Sequence, residues 1–229
     1  MVSKIDCFVG TVSRASGPID TPSFKFGGKP VFISHLENPI CKHCGQPMDF
    51  IGQIPLDKPI NFSKRFKMAY IFICPGKFDD RGWLECDTFQ AFSGSNAVLL
   101  QEDLGQIIIP NIKPLFMDYL IRITHELEPN IDTSDNENFR DIIDEVKMTT
   151  KIGGVPSWIQ NNENPICPVC TKPLRFVVQI DSQLDGPLPA DPTHWSEYNT
   201  YNFGDAGMGY VFICENDCLE NGAFLWQST

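Results

Sequence analysis

No stretch of this 229-residue chain reaches the roughly 18 consecutive apolar residues of a membrane-crossing helix. Its opening, MVSKIDCFVG, has neither the basic start nor the apolar run of about 7–15 residues that marks a secretory leader, so a cytoplasmic location with no membrane partner is expected. Basic residues are scarce: 18 Lys and Arg stand against 29 Asp and Glu, a net charge of −11. Binding to a polyphosphate relies on neutralisation by Lys and Arg, so a nucleic-acid partner is not expected either. There are four His, and neither His125 nor His194 has a nucleophile or a second ligand at a useful spacing. The Gly-Gly pairs at 27–28 and 153–154, with Pro30 and Pro156 after them, lack the lysine and Ser or Thr of a phosphate-binding loop and read as tight turns. Nothing here composes a catalytic site, and the chain is expected not to be an enzyme.

What the chain does have is cysteine, nine in all, together with a hydrophobic content of 42% that can bury a substantial core. Cytoplasmic thiols stay reduced, so recurring C-x-x-C pairs point to metal or redox chemistry and away from disulfides. The pairs recur because the chain is written twice. Shifted by 126 positions, residues 25–54 align with 151–180 without a gap, and 15 of the 30 positions are identical, where composition alone gives about two. MAYIFIC at 68–74 matches MGYVFIC at 208–214 at an offset of 140. This is a two-fold internal repeat. We divide the chain into a first repeat, 1–130, and a second, 131–229, packed as one body.

Within each repeat, short apolar runs rich in aromatic and β-branched residues read as buried strands: 50–54 and 70–74, then 176–180 and 210–214. Residues 106–112 and 116–123 are two further strand candidates, with Pro110 and Pro114 marking a break. The polar, acidic HELEPNIDTSDNEN reads as the connection between repeats. After it, Phe139, Ile142, Ile143 and Val146 share one helical face behind a capping box of Ser134 and Glu137. The expected fold is therefore mainly β within the α+β class, a duplicated fold with pseudo-two-fold symmetry and a few short helices.

The strongest chemical signal lies in the second repeat. Cys167-x2-Cys170 and Cys214-x3-Cys218 are two tight cysteine pairs joined through a strand, a long loop and another strand. Four thiolates in a tetrahedron suit zinc and leave no open position for a substrate water, so a structural zinc site is expected. In the first repeat Cys41, Cys44 and Cys74 hold the equivalent places, but the repeat offset sets Phe78 opposite Cys218. Cys86 is taken as the completing ligand of a second zinc site, with His43 and His35 as substitutes; degeneration of this copy is the alternative. Cys7 has no evident partner.

KIGGVPSWIQ, CPVCTKPLRFVVQID, FGDAGMGYVFICENDC and FLWQ resemble the YwqG-like family of bacterial proteins. The C-x-x-C segments also resemble programmed cell death protein 2 and its ribosome-assembly relatives. The resemblance covers residues 151–227 and, in the first repeat, KFGGKP, CKHCGQPMDFIGQI and YIFIC. It implies a duplicated, mainly β fold without enzymatic activity and, from the eukaryotic relatives, a chaperone-like hold on a basic protein client. The expected function is a non-enzymatic, zinc-stabilised protein-binding module or assembly factor. The alternative is a thiol oxidoreductase using the C-x-x-C pairs. The second repeat's longer insert carries His194, Trp195, Tyr198, Tyr201 and Phe203, either as anchors for a partner or as a lid over the sheet.

Overall fold

The computed structural model describes residues 3–79, 82–84, 86–131, 148–182, 203–204 and 206–229. Their regular structure is entirely β. Ten strands close into one antiparallel barrel: β1 (Lys4–Arg14), β2 (Lys25–Phe26), β3 (Asp49–Pro55), β4 (Met68–Ile73), β7 (Asn96–Gln101), β8 (Tyr119–Pro129), β9 (Lys151–Gly153), β10 (Arg175–Asp181), β11 (Met208–Ile213) and β12 (Asn221–Gln227). Two short strands, β5 (Lys77–Asp79) and β6 (Gly82–Leu84), form a separate hairpin. The expectation of an α+β chain with short helices is thus corrected. No described residue is helical, because the described segments that flank the central strands are spent on cysteine turns and on extended covers over the sheet. The helix expected at 139–146 lies outside the described residues, as do His194, Trp195, Tyr198 and Tyr201. Among the described residues no helix is long and apolar enough to cross a membrane.

The barrel order is β1-β8-β2-β3-β4-β7-β12-β11-β10-β9. The blocks β2-β3-β4-β7 and β9-β10-β11-β12 are the two repeats, and their registers agree. Lys25 faces Gln53, which faces Tyr70; Lys151 faces Gln179, which faces Tyr210. Both copies break register at the same point, between Phe50 and Gly52 and between Phe176 and Val178. One seam joins the last strands of the repeats, with Gly222 opposite Val98. At the other seam β1 and β8 pair over all 11 residues, then β1 joins β9 while β8 joins β2. The strand preceding each β2-type strand is therefore given to the other repeat. Closure in this manner leaves the barrel without a free edge.

Strands β4 and β11 are buried at every residue, which explains their unbroken apolar sequence. One of their faces lines the barrel interior, where Ile71, Ile73, Val98, Val211, Ile213 and Phe224 meet in the central core. The other face carries a smaller outer core in each repeat: Tyr70, Phe72 and Phe50 in the first, Tyr210, Phe212 and Phe176 in the second. Residues 31–48 cover one outer core and 155–174 the other.

Side-chain amides hold the covers down. The Oε1 of Gln53 accepts the N–H of Val31 and that of Gln101 accepts the N–H of Ile33, while the Tyr70 hydroxyl donates to Val31 O. In the second repeat Gln179 takes the N–H of Ser157, Gln227 those of Ile159 and Gln160, and the Tyr210 hydroxyl donates to Ser157 O. Buried amides need such partners, and here they fasten an extended segment to the outside of a barrel.

Candidate metal centres

Each cover ends in a C-x-x-C turn that closes on itself. The Cys41 N–H donates to Gln46 O and the Gly45 N–H returns to Cys41 O; the Cys167 N–H donates to Lys172 O and the Thr171 N–H returns to Cys167 O. The return needs left-handed backbone at the residue after the second cysteine. Gly45 adopts it at φ 72°, Thr171 at φ 59°. Facing each turn is the end of a fully buried strand, with Cys74 just beyond β4 and Cys214 just beyond β11.

The structure brings Cys41, Cys44, Cys74 and Cys86 together, and separately Cys167, Cys170, Cys214 and Cys218. Within each group the four Sγ atoms lie within 4.8 Å of one another. Cys44 Sγ is 3.4 Å from Cys74 Sγ, and Cys170 Sγ is 3.6 Å from Cys214 Sγ. None of the nine cysteines is in a disulfide. Cys86 takes the fourth place in the first group. His43 points elsewhere, its Nε2 3.0 Å from Ser93 O, and Cys7 sits on β1 outside both groups. His125 lies on the surface with its Nε2 2.7 Å from Asp6 Oδ1.

The ambiguity over the fourth ligand has a physical origin. Cys74 precedes Asn96 by 22 positions, whereas Cys214 precedes Gly222 by 8. The first repeat uses the extra length for the β5–β6 hairpin before Cys86 returns to the site; the second makes a tight turn, with the Asp217 N–H donating to Cys214 O at 3.0 Å. Past this point the offset reverts to 126, so AVLLQ at 97–101 matches AFLWQ at 223–227. Gln101, the counterpart of Gln227, is visible in the sequence only through that restored offset.

Four thiols at this spacing cannot all ionise unaided, and their acidities are spread apart accordingly. Burial disfavours the Cys41 thiolate, but the N–H groups of Cys44 and His43 and the Ser95 hydroxyl outweigh it and bring the thiol down to about 6. The Lys172 N–H brings Cys170 down to about 6, helped by Asn216. Burial pushes Cys74 well up, and Cys86 up to about 11. The Cys214 thiol, beside Cys218, pushes it up to about 12. An available thiolate at Cys41 thus lies beside the raised thiols of Cys74 and Cys86, and one at Cys170 beside the raised thiol of Cys218, soft donors that a dication would ionise together. Each group can hold a metal ion.

The groups differ in exposure. Cys41, Cys74 and Cys86 are buried and Cys44 half-buried; in the second group Cys167 and Cys214 are buried while Cys170 and Cys218 are half-buried. The second knuckle also reaches the first repeat: Asp217 Oδ1 accepts from the Ser63 hydroxyl at 2.7 Å, and the Arg175 guanidinium lies 4.8 Å over the Phe62 ring. No protein-family model matches the chain, and no curated protein matches it.

Proposed function

We propose that the chain is a non-enzymatic protein-binding body in which two structural zinc ions staple the covers to the barrel. The observation that carries this reading is the arrangement of eight cysteines as two closed groups, each joining a cover's turn to the end of a buried strand. A zinc ion held by four thiolates has no open coordination position, which favours a structural over a hydrolytic role. Zinc suits the all-sulfur donor set and reduced thiols suit a cytoplasmic setting.

The net charge of −11 favours a basic protein as partner. The resemblance to YwqG-like proteins and to programmed cell death protein 2 supports a chaperone-like or assembly role. Capture from native lysate at low salt tests this part: a reproducible basic protein, released by added salt, supports it, and the absence of any reproducible partner counts against it.

The thiol acidities of Cys41 and Cys170 also suit an oxidoreductase, the second reading. Alkylation mapped residue by residue separates the two. Zinc staples predict that all eight cysteines resist alkylation until a chelator is added. Rapid modification of Cys41 or Cys170 in metal-replete protein supports the redox reading instead.

A further inference from the structure

The two covers are clamped alike from below but differ along their outer edge. Phe32 and Trp158 stand at equivalent positions of the repeats. In the first repeat the Phe32 N–H donates to Ile108 O and the Ile108 N–H donates back to Phe32 O, both at 2.9 Å, and the Leu104 N–H reaches Ile33 O at 3.4 Å. Residues 104–110 thus run along the cover as an added extended segment. Ile108 packs against the outer core while Leu104 and Ile107 stay exposed, at 66% and 57%.

In the second repeat Trp158 and Ile159 replace Phe32 and Ile33. The clamps below them are the same, with Gln179, Gln227 and Tyr210 in the places of Gln53, Gln101 and Tyr70. Yet among the described residues nothing bonds the N–H or C=O of Trp158 or the C=O of Ile159. The Trp158 indole Nε1 is also buried without a partner. The ring cannot swing outward to find one, because it packs flat on Phe212 at 5.9 Å and 12° and against Tyr210 at 4.7 Å. Buried donors without acceptors are rare and costly. Here one stands beside backbone groups whose counterparts in the first repeat are filled.

We infer that the Trp158 edge is a docking site for an extended segment of a partner protein, which pairs with Trp158 as Ile108 pairs with Phe32. This rests on the reading of the chain as a protein-binding body and specifies the surface it uses. The first repeat shows the chemistry required: extended backbone with a β-branched apolar residue at the bridge, as in QIIIP. The Trp158 ring stays packed on Phe212 and Tyr210, so the occupant binds through the backbone groups of Trp158 and Ile159. Residues 104–110 are already engaged on Phe32, so among the described residues a second copy offers no free segment of this kind. The surplus of acidic residues favours a neutral or basic segment.

The test uses the full, metal-replete chain labelled with 15N at tryptophan, and a peptide copying residues 104–112, LGQIIIPNI, with a Lys-Lys tail for solubility. The Trp158 amide and indole resonances, assigned through Trp158→Phe, are expected to shift and saturate below about 1 mM peptide. A scrambled peptide with the same tail should bind at least about tenfold more weakly. So should a peptide N-methylated at the residue copying Ile108, which cannot donate to Trp158 O. Absence of a saturable shift at Trp158, or equal binding by the N-methylated peptide, overturns the site. A shift of the Trp158 signals with protein concentration alone assigns the edge to a second copy and overturns the partner. Because zinc content is verified beforehand, a silent titration leaves the zinc staples standing.

Discussion

Lys151 donates to both carboxylate oxygens of Glu128, at 2.9 and 2.8 Å, and both side chains are fully buried. The first repeat has a looser counterpart in Lys25 and Asp118, 2.6 Å apart, where the carboxylate is 11% exposed. Both acids come from β8 or the residue before it, so this one strand is tied to the Lys of both repeats. The Gly-Gly turns are part of the arrangement: a Cβ at Gly28 would run into the Asp118 carboxylate, and one at Gly154 into that of Glu128. The repeated lysine and Gly-Gly, which resemble a phosphate loop only superficially, enclose a carboxylate of the chain itself.

Removal of one member of a buried pair costs more than the pair contributes, because the remaining charge is stranded. Glu128→Ala is expected to lower unfolding free energy by about 3–5 kcal/mol, and Asp118→Ala by less, since water reaches that site. Urea unfolding of the two variants checks the order; equal losses would contradict the assigned roles.

The αL position after each C-x-x-C turn yields a reciprocal test. A β-branched residue there costs roughly 1–2 kcal/mol in backbone strain, and glycine offsets part of that through its greater unfolded-state entropy. Thr171→Gly should be neutral or stabilising by up to about 1 kcal/mol, and Gly45→Thr destabilising by a similar amount. A Cβ at Gly45 meets nothing within 4 Å, so a loss there reports conformation and not a clash. Thermal unfolding of the metal-replete proteins decides it.

Much of the site was legible in the sequence, because ligand spacing and repeat identity are local signals. The 126-residue offset marks both C-x-x-C turns, and YIFIC and YVFIC end on the third cysteine of each group. Barrel closure was not legible. It depends on β1 and β8, whose mixed burial gives no clean alternation. The HELEP that ends β8 is acidic and half solvent-facing, and reads as a linker until β1 is placed beside it. Residues 106–112 illustrate the opposite error: an Ile-rich run with strand propensity forms only a single bridge, Ile108 to Phe32, because Pro110 removes a donor from any longer ladder.

The amide clamps predict where the covers loosen. Gln227→Leu removes the acceptor shared by the N–H groups of Ile159 and Gln160, a loss of about 1–3 kcal/mol. Hydrogen exchange at residues 157–161 should accelerate while the first cover, held by Gln53 and Gln101, stays protected. Uniform acceleration across both covers would contradict independent clamping.

Proton release accompanies metal uptake. At pH 7.5 the raised thiols of Cys74 and Cys86 keep their protons in the metal-free chain, so loading the first group liberates at least these two. Affinity therefore climbs with pH and falls as the medium is acidified. Calorimetry in buffers of different ionisation enthalpy counts the protons; uptake without release would mean that these thiols are not ligands.

The most direct measurement is zinc per chain by elemental analysis of the untagged, freshly reduced protein, beside a variant with Cys167→Ser and Cys170→Ser and another with Cys41→Ser and Cys44→Ser. The account predicts two zinc ions in the parent chain and one in each variant that folds. A parent chain that binds no metal would contradict it and return the eight thiols to redox chemistry.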